Sequence, residues 1–598
     1  MTSPLAGVTL GIVDSWDAAV EFMAWLSRGN RDRLAVDTET TGLRLNNGDR
    51  ARLVQVGWID GAWSIPWHNY RGLFEEVVRR FTGRYVMHNA KFDWTALANE
   101  GSEVTIPRHR IDDTAIMSHL AEPNLSRALK PQASRHVDAA AAGASRLLDA
   151  AMAEAGWTWG TVPWWFEPYW QYAALDTVLT AFLDEHHRPT IEAQCPSAYD
   201  LELAVQWVIL DMERRGVHVD RDFARDAEKR FLDEANELSR SVKSEFDCSI
   251  GSIPQLVQRF QEDGVELWQR TEKGAFQLTA EVLRGLDHPL APMVLRYRRL
   301  GKLASTYLRH FAEDADANDL LHPSINTLGA RTGRMSMDTP NLQNLPRRSD
   351  SNPDANTVRN AITSRYGDDG GTLLMCDFDQ IEMRMLAHMS GDAGLRAAFA
   401  SPNDFFVELA QAIYRDPHLI KSDPRRSLTK NVGYAQIYGA GLAKLALTAG
   451  VSIDQVEVVK QRFDQLYPSV KRFQRQVEDR AWARSRAGGE PYVLSPVTGR
   501  HHVADRGKVY ALVNYLIQGT AAEIFKQAIL RLDAAGFGEY MMIPVHDEIV
   551  LDVPADVRDD AVKALRETMN DFETFRVPIT ASVAAGVRWG EKQEVSDG

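Results

Sequence analysis

Two apolar runs that lie far apart in this 598-residue chain each end on acid side chains. TLLMCDF carries Asp377 out of one, and MMIPVHDE carries His546, Asp547 and Glu548 out of the other. A carboxylate at the end of a buried strand is costly unless cations or hydrogen-bond donors meet it. The chain is therefore constrained to a fold in which the two strand ends find such partners, and two acids sharing metal ions satisfy both at once. After Asp377 the pattern turns helical, with Ile381, Met385, Leu386 and Met389 on one face. The second acid group reads as a hairpin tip between apolar strands. Taken alone, a surface turn would explain its charges equally well.

Between the two lies RRSLTKNVGYAQIYG at 425–439, in which Arg426, Lys430, Tyr434 and Tyr438 recur every four residues and share one helix face. Arg426 and Lys430, one turn apart, suit the neutralisation of phosphates. Tyr434 can lay its ring against a sugar and base, and Tyr438 reaches toward a template. Acids clamping a metal pair about 3.5–4 Å apart complete the requirements for nucleotidyl transfer from a triphosphate.

Length predicts two to four domains. The three cysteines, Cys195, Cys248 and Cys376, are widely spaced, which excludes a disulfide scaffold and a multi-cysteine zinc site and fits a reducing cytosol. No signal peptide and no run of about 18 apolar residues is present, so a cytoplasmic protein without a membrane partner is expected. The formal net charge of −14 does not exclude a polyanionic partner, because the placement of cations decides that. Arg296, Arg298, Arg299 and Lys302 form one cluster, and Lys421, Arg425, Arg426 and Lys430 another. Solvated helix faces account for the first as readily as a DNA surface does.

Residues 1–197 read as an α/β domain with a mixed sheet, closed by a linker RPTIEAQCPS. Its tryptophans at 157, 159, 164, 165 and 170 read as core rather than as a base-stacking platform. Residues 198–320 are helical, and strands mix with helices from 321 onward. Within the first domain, Asp37 and Glu39 of LAVDTET lie two apart on a strand and point to one side. HNAKFD supplies Asp93, and YAALD supplies Tyr172 and Asp176 on one helix face. Four acids can hold two divalent ions, one of them activating a water that Tyr172 orients. These segments resemble the DEDD-type 3′–5′ exonucleases with tyrosine in the last motif. The resemblance implies a ribonuclease H-like domain, with Asp37, Glu39, Asp93 and Asp176 as metal ligands and Leu43 and Asn89 holding a frayed 3′ end.

DFDQIEMR, the R-x3-K-x3-Y-x3-YG pattern and VHDE resemble motifs A, B and C of family A DNA polymerases, with further matches in TGRMSMDTPNLQNLP, NYLIQGTAAEIFK and VAAGVRWG. The resemblance implies a right-hand polymerase with thumb 198–320, palm 321–395 and 495–598, and fingers 396–494. Asp377 and Asp547 become metal ligands for two magnesium ions per site, with manganese as substitute. Glu548 and His546 sit at the primer end, and Arg384 on the primer strand. Gln380, Glu382, Arg426, Lys430, Tyr434 and Tyr438 surround the nucleotide, with Lys430 also catalytic. Arg334, Asn341, Gln343, Asn514 and Gln518 probe the minor groove, where acceptors common to all correct pairs let donors test shape. Glu382 implies a deoxynucleotide preference, and the Tyr434 phenol implies acceptance of chain terminators.

Three positions depart from the family pattern: Phe406 replaces a phosphate-contacting histidine, Tyr510 a frequent arginine, and Asp379 a common serine, adding charge near the metals. Primer-template DNA, deoxynucleoside triphosphates and replication accessory proteins are the expected partners of a monomer. The position of Asp37 near the start leaves no room for a 5′-nuclease domain, a layout closer to a phage replicase. A single-subunit RNA polymerase, a nuclease whose second half only grips DNA, and an inactive DNA-binding scaffold are the alternatives. Glu382 opposes the first and the retained acid sets oppose the others.

Overall fold

Apolar residues cluster in RLAVDTET and run almost unbroken through ARLVQVGW, and the two segments form antiparallel neighbours, Arg33–Thr40 and Ala51–Trp58. The computed structural model describes residues 4–28, 31–101, 105–346, 353–401, 403–438, 441–486, 489–571 and 573–595. With Thr9–Ile12 as β1, Arg33–Thr40 as β2, Ala51–Trp58 as β3, Gly61–Pro66 as β4, Arg84–Met87 as β5 and Ile111–Asp113 as β6, the amino-terminal sheet has the order β1-β4-β3-β2-β5-β6. β2 pairs antiparallel with β3 but parallel with β5, so the sheet is mixed. The 28-residue helix Glu167–Gln194 packs across β2, β3 and β4. That packing sets Tyr172 and Asp176 against the strand that carries Asp37 and Glu39.

The segment 188–197 is not the extended linker its proline and polar residues suggest. Pro189 is accommodated inside the Glu167–Gln194 helix, and a new helix starts at Pro196, so only Cys195 breaks the path. Trp157, Trp159, Trp164 and Trp170 pack on a small core of Leu53, Leu148, Met152, Val162 and Tyr169. Trp165 is exposed and sets its ring edge-on to Trp157.

Helices Pro196–Arg215, Arg221–Phe246 and Leu290–Leu303 follow, the last continued by a π-helical turn at Ala304–Leu308. The basic cluster on Leu290–Leu303 is not an open patch. Arg296 meets both Glu234 and Asp354, Arg299 meets Asp354, and Arg298 donates to the Leu278 carbonyl. Acids distant in sequence consume two of its four cations, and a backbone carbonyl takes up a third.

A second sheet is built from Thr372–Phe378 (β7), Met541–Val545 (β8), Glu548–Val553 (β9), Ala581–Gly586 (β10) and Gln593–Glu594 (β11), in the order β8-β9-β7-β10-β11. All neighbours are antiparallel. Thr372–Cys376 is buried on both faces, which the unbroken apolar run of TLLMC requires. Asp377 is the first residue of β7 to reach the sheet's open end. Its register partners are Glu548 on one side and Ser582 on the other. The helix Pro424–Tyr438 packs on Phe405–Tyr414 and Ile453–Leu466 beside this end. Gly439, which closes the predicted motif, lies outside the described residues. Among the described residues no helix is long and apolar enough to cross a membrane.

Candidate active sites

The hairpin β8–β9 turns through His546 and Asp547, with His546 in a left-handed conformation, φ 60°. Two-residue hairpin turns need positive φ to match strand twist, so the turn holds a non-glycine residue at a position that costs about 1 kcal/mol. The Phe378 amide donates to the Asp547 carbonyl at 3.3 Å, which brings the two strand ends together. Asp377, Asp547 and Glu548 all line one cleft of about 1480 Å³. Burial, followed by repulsion from Asp547 and Glu548, raises Asp377 to about 7, against the opposing pull of Lys592. Asp547 is raised as well, first by burial. Glu548 is held by Trp589 Nε1 at 3.2 Å and Lys592 Nζ at 2.5 Å. Lys592 went unnoticed in the sequence because nothing local marks a lysine after VRWGE as facing the acids.

Gln380 caps the helix Ile381–Ser390 in a left-handed conformation, and its buried Oε1 has no hydrogen-bond partner among the described residues. Glu382, on the first turn, is buried. One of its oxygens meets Arg334, and the other accepts from the Tyr438 hydroxyl at 2.6 Å. The Tyr438 hydroxyl is thereby turned onto Glu382, and burial followed by that carboxylate pushes its phenol up to about 12. Arg384 is anchored by donation to the carbonyls of Asp379 at 2.7 Å and Pro578 at 2.6 Å. Asp379, whose charge the sequence left unexplained, accepts from Thr580 Oγ1 at 2.9 Å and Ser582 Oγ at 2.7 Å. Its carboxylate is thereby tied to β10 and the residue before it.

The predicted phosphate cations do not stand free. Arg426 donates to both oxygens of Asp404, at 2.7 and 3.2 Å, and Asp404 also caps the helix Phe405–Tyr414 through Val407 N at 2.9 Å. Arg425 is held by Asp416 and Asp423. Lys430 Nζ lies 5.9 Å from the ring centres of both Phe406 and Tyr434 and, with Lys421, lines the cleft. Phe406 is fully buried, its ring 5.7 Å from that of Tyr434, so it forms an apolar floor beneath the helix instead of a phosphate contact. Gln343 lines the cleft, and Asn341 caps the turn Leu342–Asn344 by accepting from Asn344 N at 3.1 Å. Asn514 has a buried oxygen with no hydrogen-bond partner among the described residues, and Gln518 adjoins the Tyr438 hydroxyl. Tyr510 is exposed.

In the amino-terminal domain, burial raises Asp37 to about 6. Burial and then Asp37 raise Glu39 to about 8. Asp93, in the first turn of Ala90–Asn99, accepts from Thr38 N at 3.0 Å and Thr38 Oγ1 at 2.7 Å. Asp176 is ion-paired with Lys130, whose ammonium lies 4.0 Å from the Tyr172 ring centre. The Tyr172 hydroxyl shares a hydrogen bond with Ser145 Oγ at 3.1 Å. The four acids therefore surround one place, but as described they form no ready cage: among the described residues no group of three or more His, Cys, Asp or Glu is arranged to hold a metal. Asp93 is turned onto Thr38, and Lys130 is drawn in between the others. Sequence reading missed Lys130, which a lysine-bearing helix on its own does not reveal. Leu43, largely exposed, and Asn89, at φ 71°, line a separate cleft of about 660 Å³ that also touches residues 321–327 and 338–340.

Both sites nevertheless bring together the oxygen donors that divalent cations take. Like charges are held together in poorly solvated places at a cost reflected in their raised pKa values, and a bound cation relieves that cost.

A family model for DNA polymerase family A matches residues 221–591, and one for 3′–5′ exonuclease matches residues 12–191. The chain is 29% identical to a DNA polymerase of Mycobacterium phage D29, over 98% of this chain and 97% of that one. It is 28% identical to a DNA polymerase of Mycobacterium phage L5, over 94% of each. The POL domain of Pol1 from M. smegmatis, solved in complex with DNA primer-template and dNTP, superposes with a TM-score of 0.77 over 97% of this chain and 99% of that one. At 23% identity that likeness speaks for the fold alone. Because the polymerase match takes in more than half of the residues, and the exonuclease match precedes it, the chain belongs to DNA polymerase family A and carries a 3′–5′ exonuclease domain ahead of its polymerase domain.

Proposed function

We propose that this polymerase replicates a phage genome, extending primer 3′ ends on a DNA template and removing misplaced nucleotides at its amino-terminal site. The observation that carries the reading is the meeting of Asp377 with Asp547 and Glu548 in one cleft faced by Lys430 and Tyr434. Magnesium, two ions per site, is the cofactor these acids suit, held by Asp377 and Asp547 in one place and by Asp37, Glu39, Asp93 and Asp176 in the other. Bound there, it supplies activation of the attacking oxygen and stabilisation of the leaving one.

The chain's own residues bind and orient. Lys430 donates to the phosphates that leave as pyrophosphate. Arg426 joins it once the triphosphate displaces Asp404. Tyr434 stacks on the incoming nucleotide, flanked by Tyr438 and Gln380, and Glu382 stands where a ribose 2′-hydroxyl would collide with it. Arg384, His546 and Glu548 align the primer end. Arg334, Asn341, Gln343, Asn514 and Gln518 test the shape of the new pair from its minor groove. In the exonuclease site Tyr172 orients water, while Leu43 and Asn89 hold the unpaired 3′ end. Residues 198–320 serve as thumb, 321–395 and 495–598 as palm, and 396–494 as fingers that close over the nucleotide. The protein acts as a monomer on primer-template DNA and deoxynucleoside triphosphates, aided by replication accessory proteins.

The test is primer extension on paired and mispaired primer-templates. Asp377→Ala is expected to lose extension and keep removal of the mispaired nucleotide, and Asp37→Ala to do the reverse. Extension by Asp377→Ala at the wild-type rate would sink the assignment.

A further inference from the structure

Four charges are withdrawn from water where three parts of the chain meet. Glu202 comes from the helix Pro196–Arg215, Arg500 from the turn between strands Tyr492–Leu494 and His501–Val503, and Glu523 and Lys526 from the helix Leu512–Leu532. None is more than 2% exposed. Lys526 Nζ lies 2.7 Å from both carboxylate oxygens of Glu202, and Arg500 meets the same carboxylate. Glu523 lies 3.3 Å from Arg500 Nε and accepts from Thr498 Oγ1 at 2.7 Å.

The ammonium of Lys526 does more than balance charge. It also donates to the carbonyls of Thr327 and Gly333, each at 2.8 Å. Gly333 has φ +80°, and a Cβ there would lie 2.6 Å from Arg500 Nη1, so the turn is seated directly on the charged cluster. The next residue, Arg334, reaches Glu382, whose other oxygen is held by Tyr438. A continuous set of directed contacts thus runs from Glu202 through Lys526 and the Gly333 carbonyl to Arg334 and Glu382. Apolar residues of similar volume would fill the same space at equal or better stability. What an ammonium adds is direction: three hydrogens aimed at fixed acceptors hold a carbonyl in one place.

Resting on the reading of Glu382 above, we propose that Lys526, seated on Glu202, is a positioning residue for sugar discrimination, fixing the Thr327–Gly333 turn so that Arg334 holds Glu382 against the incoming sugar. Lys526 touches no substrate and acts only through Arg334.

The experiment measures kcat/KM for single insertions of a deoxynucleotide and its ribonucleotide counterpart, with 3′–5′ exonuclease rate on single-stranded DNA as the control for folding. Lys526→Met combined with Glu202→Gln removes one charge of each sign and leaves Arg500 with Glu523. Its deoxy-to-ribo ratio is expected to fall about tenfold at unchanged exonuclease rate. Adding these changes to Arg334→Ala is expected to lower the ratio no further than Arg334→Ala does alone. Gly333→Ala, which pushes the same turn off Arg500 without removing a charge, is expected to lower the ratio as well, and it carries the test if the first variant does not fold. A ratio unchanged in the variants that fold, with kcat/KM reduced equally for both sugars, overturns the proposal, as does full additivity with Arg334→Ala. Glu382→Ala separates the two readings. If it leaves the ratio unchanged, the role of Glu382 fails and the positioning role with it. If it relaxes the ratio while Lys526→Met/Glu202→Gln and Gly333→Ala do not, only the positioning role fails.

Discussion

Replacing Glu39 with glutamine is expected to stabilise the exonuclease domain at alkaline pH while removing its activity. Burial and then the Asp37 carboxylate push Glu39 from 4.5 up to about 8, against the attraction of Lys130 and Arg52. Between those two pH values the folded chain keeps a proton at Glu39 that the unfolded chain has released, so stability falls as pH rises. The loss is absent below the lower value and complete above the upper one. Taken in full, the displacement is worth roughly 5 kcal/mol. Glu39 keeps part of its surface in water, so about half, roughly 2 kcal/mol, is the expected gain from Glu39→Gln at pH 8. For a domain of this size that corresponds to a Tm increase of about 4–8 °C. The assay is thermal unfolding followed by tryptophan fluorescence in EDTA, wild type against Glu39→Gln, from pH 4.5 to pH 9. The two curves should converge at the acid end and separate steadily toward pH 8. Added magnesium should narrow the gap, because it binds the folded wild-type site and not the variant. A variant no more stable than wild type at pH 8, or a gap independent of pH, would refute the reasoning.

Tyr434→Phe removes the phenol oxygen proposed to stand in for a missing 3′-hydroxyl; dideoxynucleotide insertion relative to deoxynucleotide insertion is expected to fall severalfold, and an unchanged ratio would exclude that role. Asp404→Asn keeps an acceptor for Val407 N but removes the charge that holds Arg426. If Asp404 competes with the triphosphate for Arg426, KM for deoxynucleotides falls by about fivefold, roughly 1 kcal/mol, whereas a rise in KM would mean that Asp404 orients Arg426 for binding.

Much of both sites was legible because the signals are local. The four-residue recurrence of Arg426, Lys430, Tyr434 and Tyr438 lies within one helix, and the two-residue spacing of Asp37 and Glu39 lies within one strand. Helical and strand periodicity decide which side chains share a face, and each acts over a few residues. The apolar run before Asp377 likewise announces a strand buried on both faces with an acid at its end. Those elements, their order and the two kinds of chemistry follow from the amino-acid sequence by itself.

Which charge meets which partner was decided only by tertiary structure. Asp404 captures Arg426, Lys130 enters the exonuclease acids, Lys592 closes on Glu548, and Glu234 with Asp354 consumes the cluster at Arg296 and Arg299. The helical course of the chain through Pro189 and the clasp of Lys526 on Glu202 belong to the same class. An ion pair depends on a separation of a few ångströms in space, and no periodicity along the chain encodes that separation. It is set when helices and sheets pack, and there the partners of every buried charge are chosen.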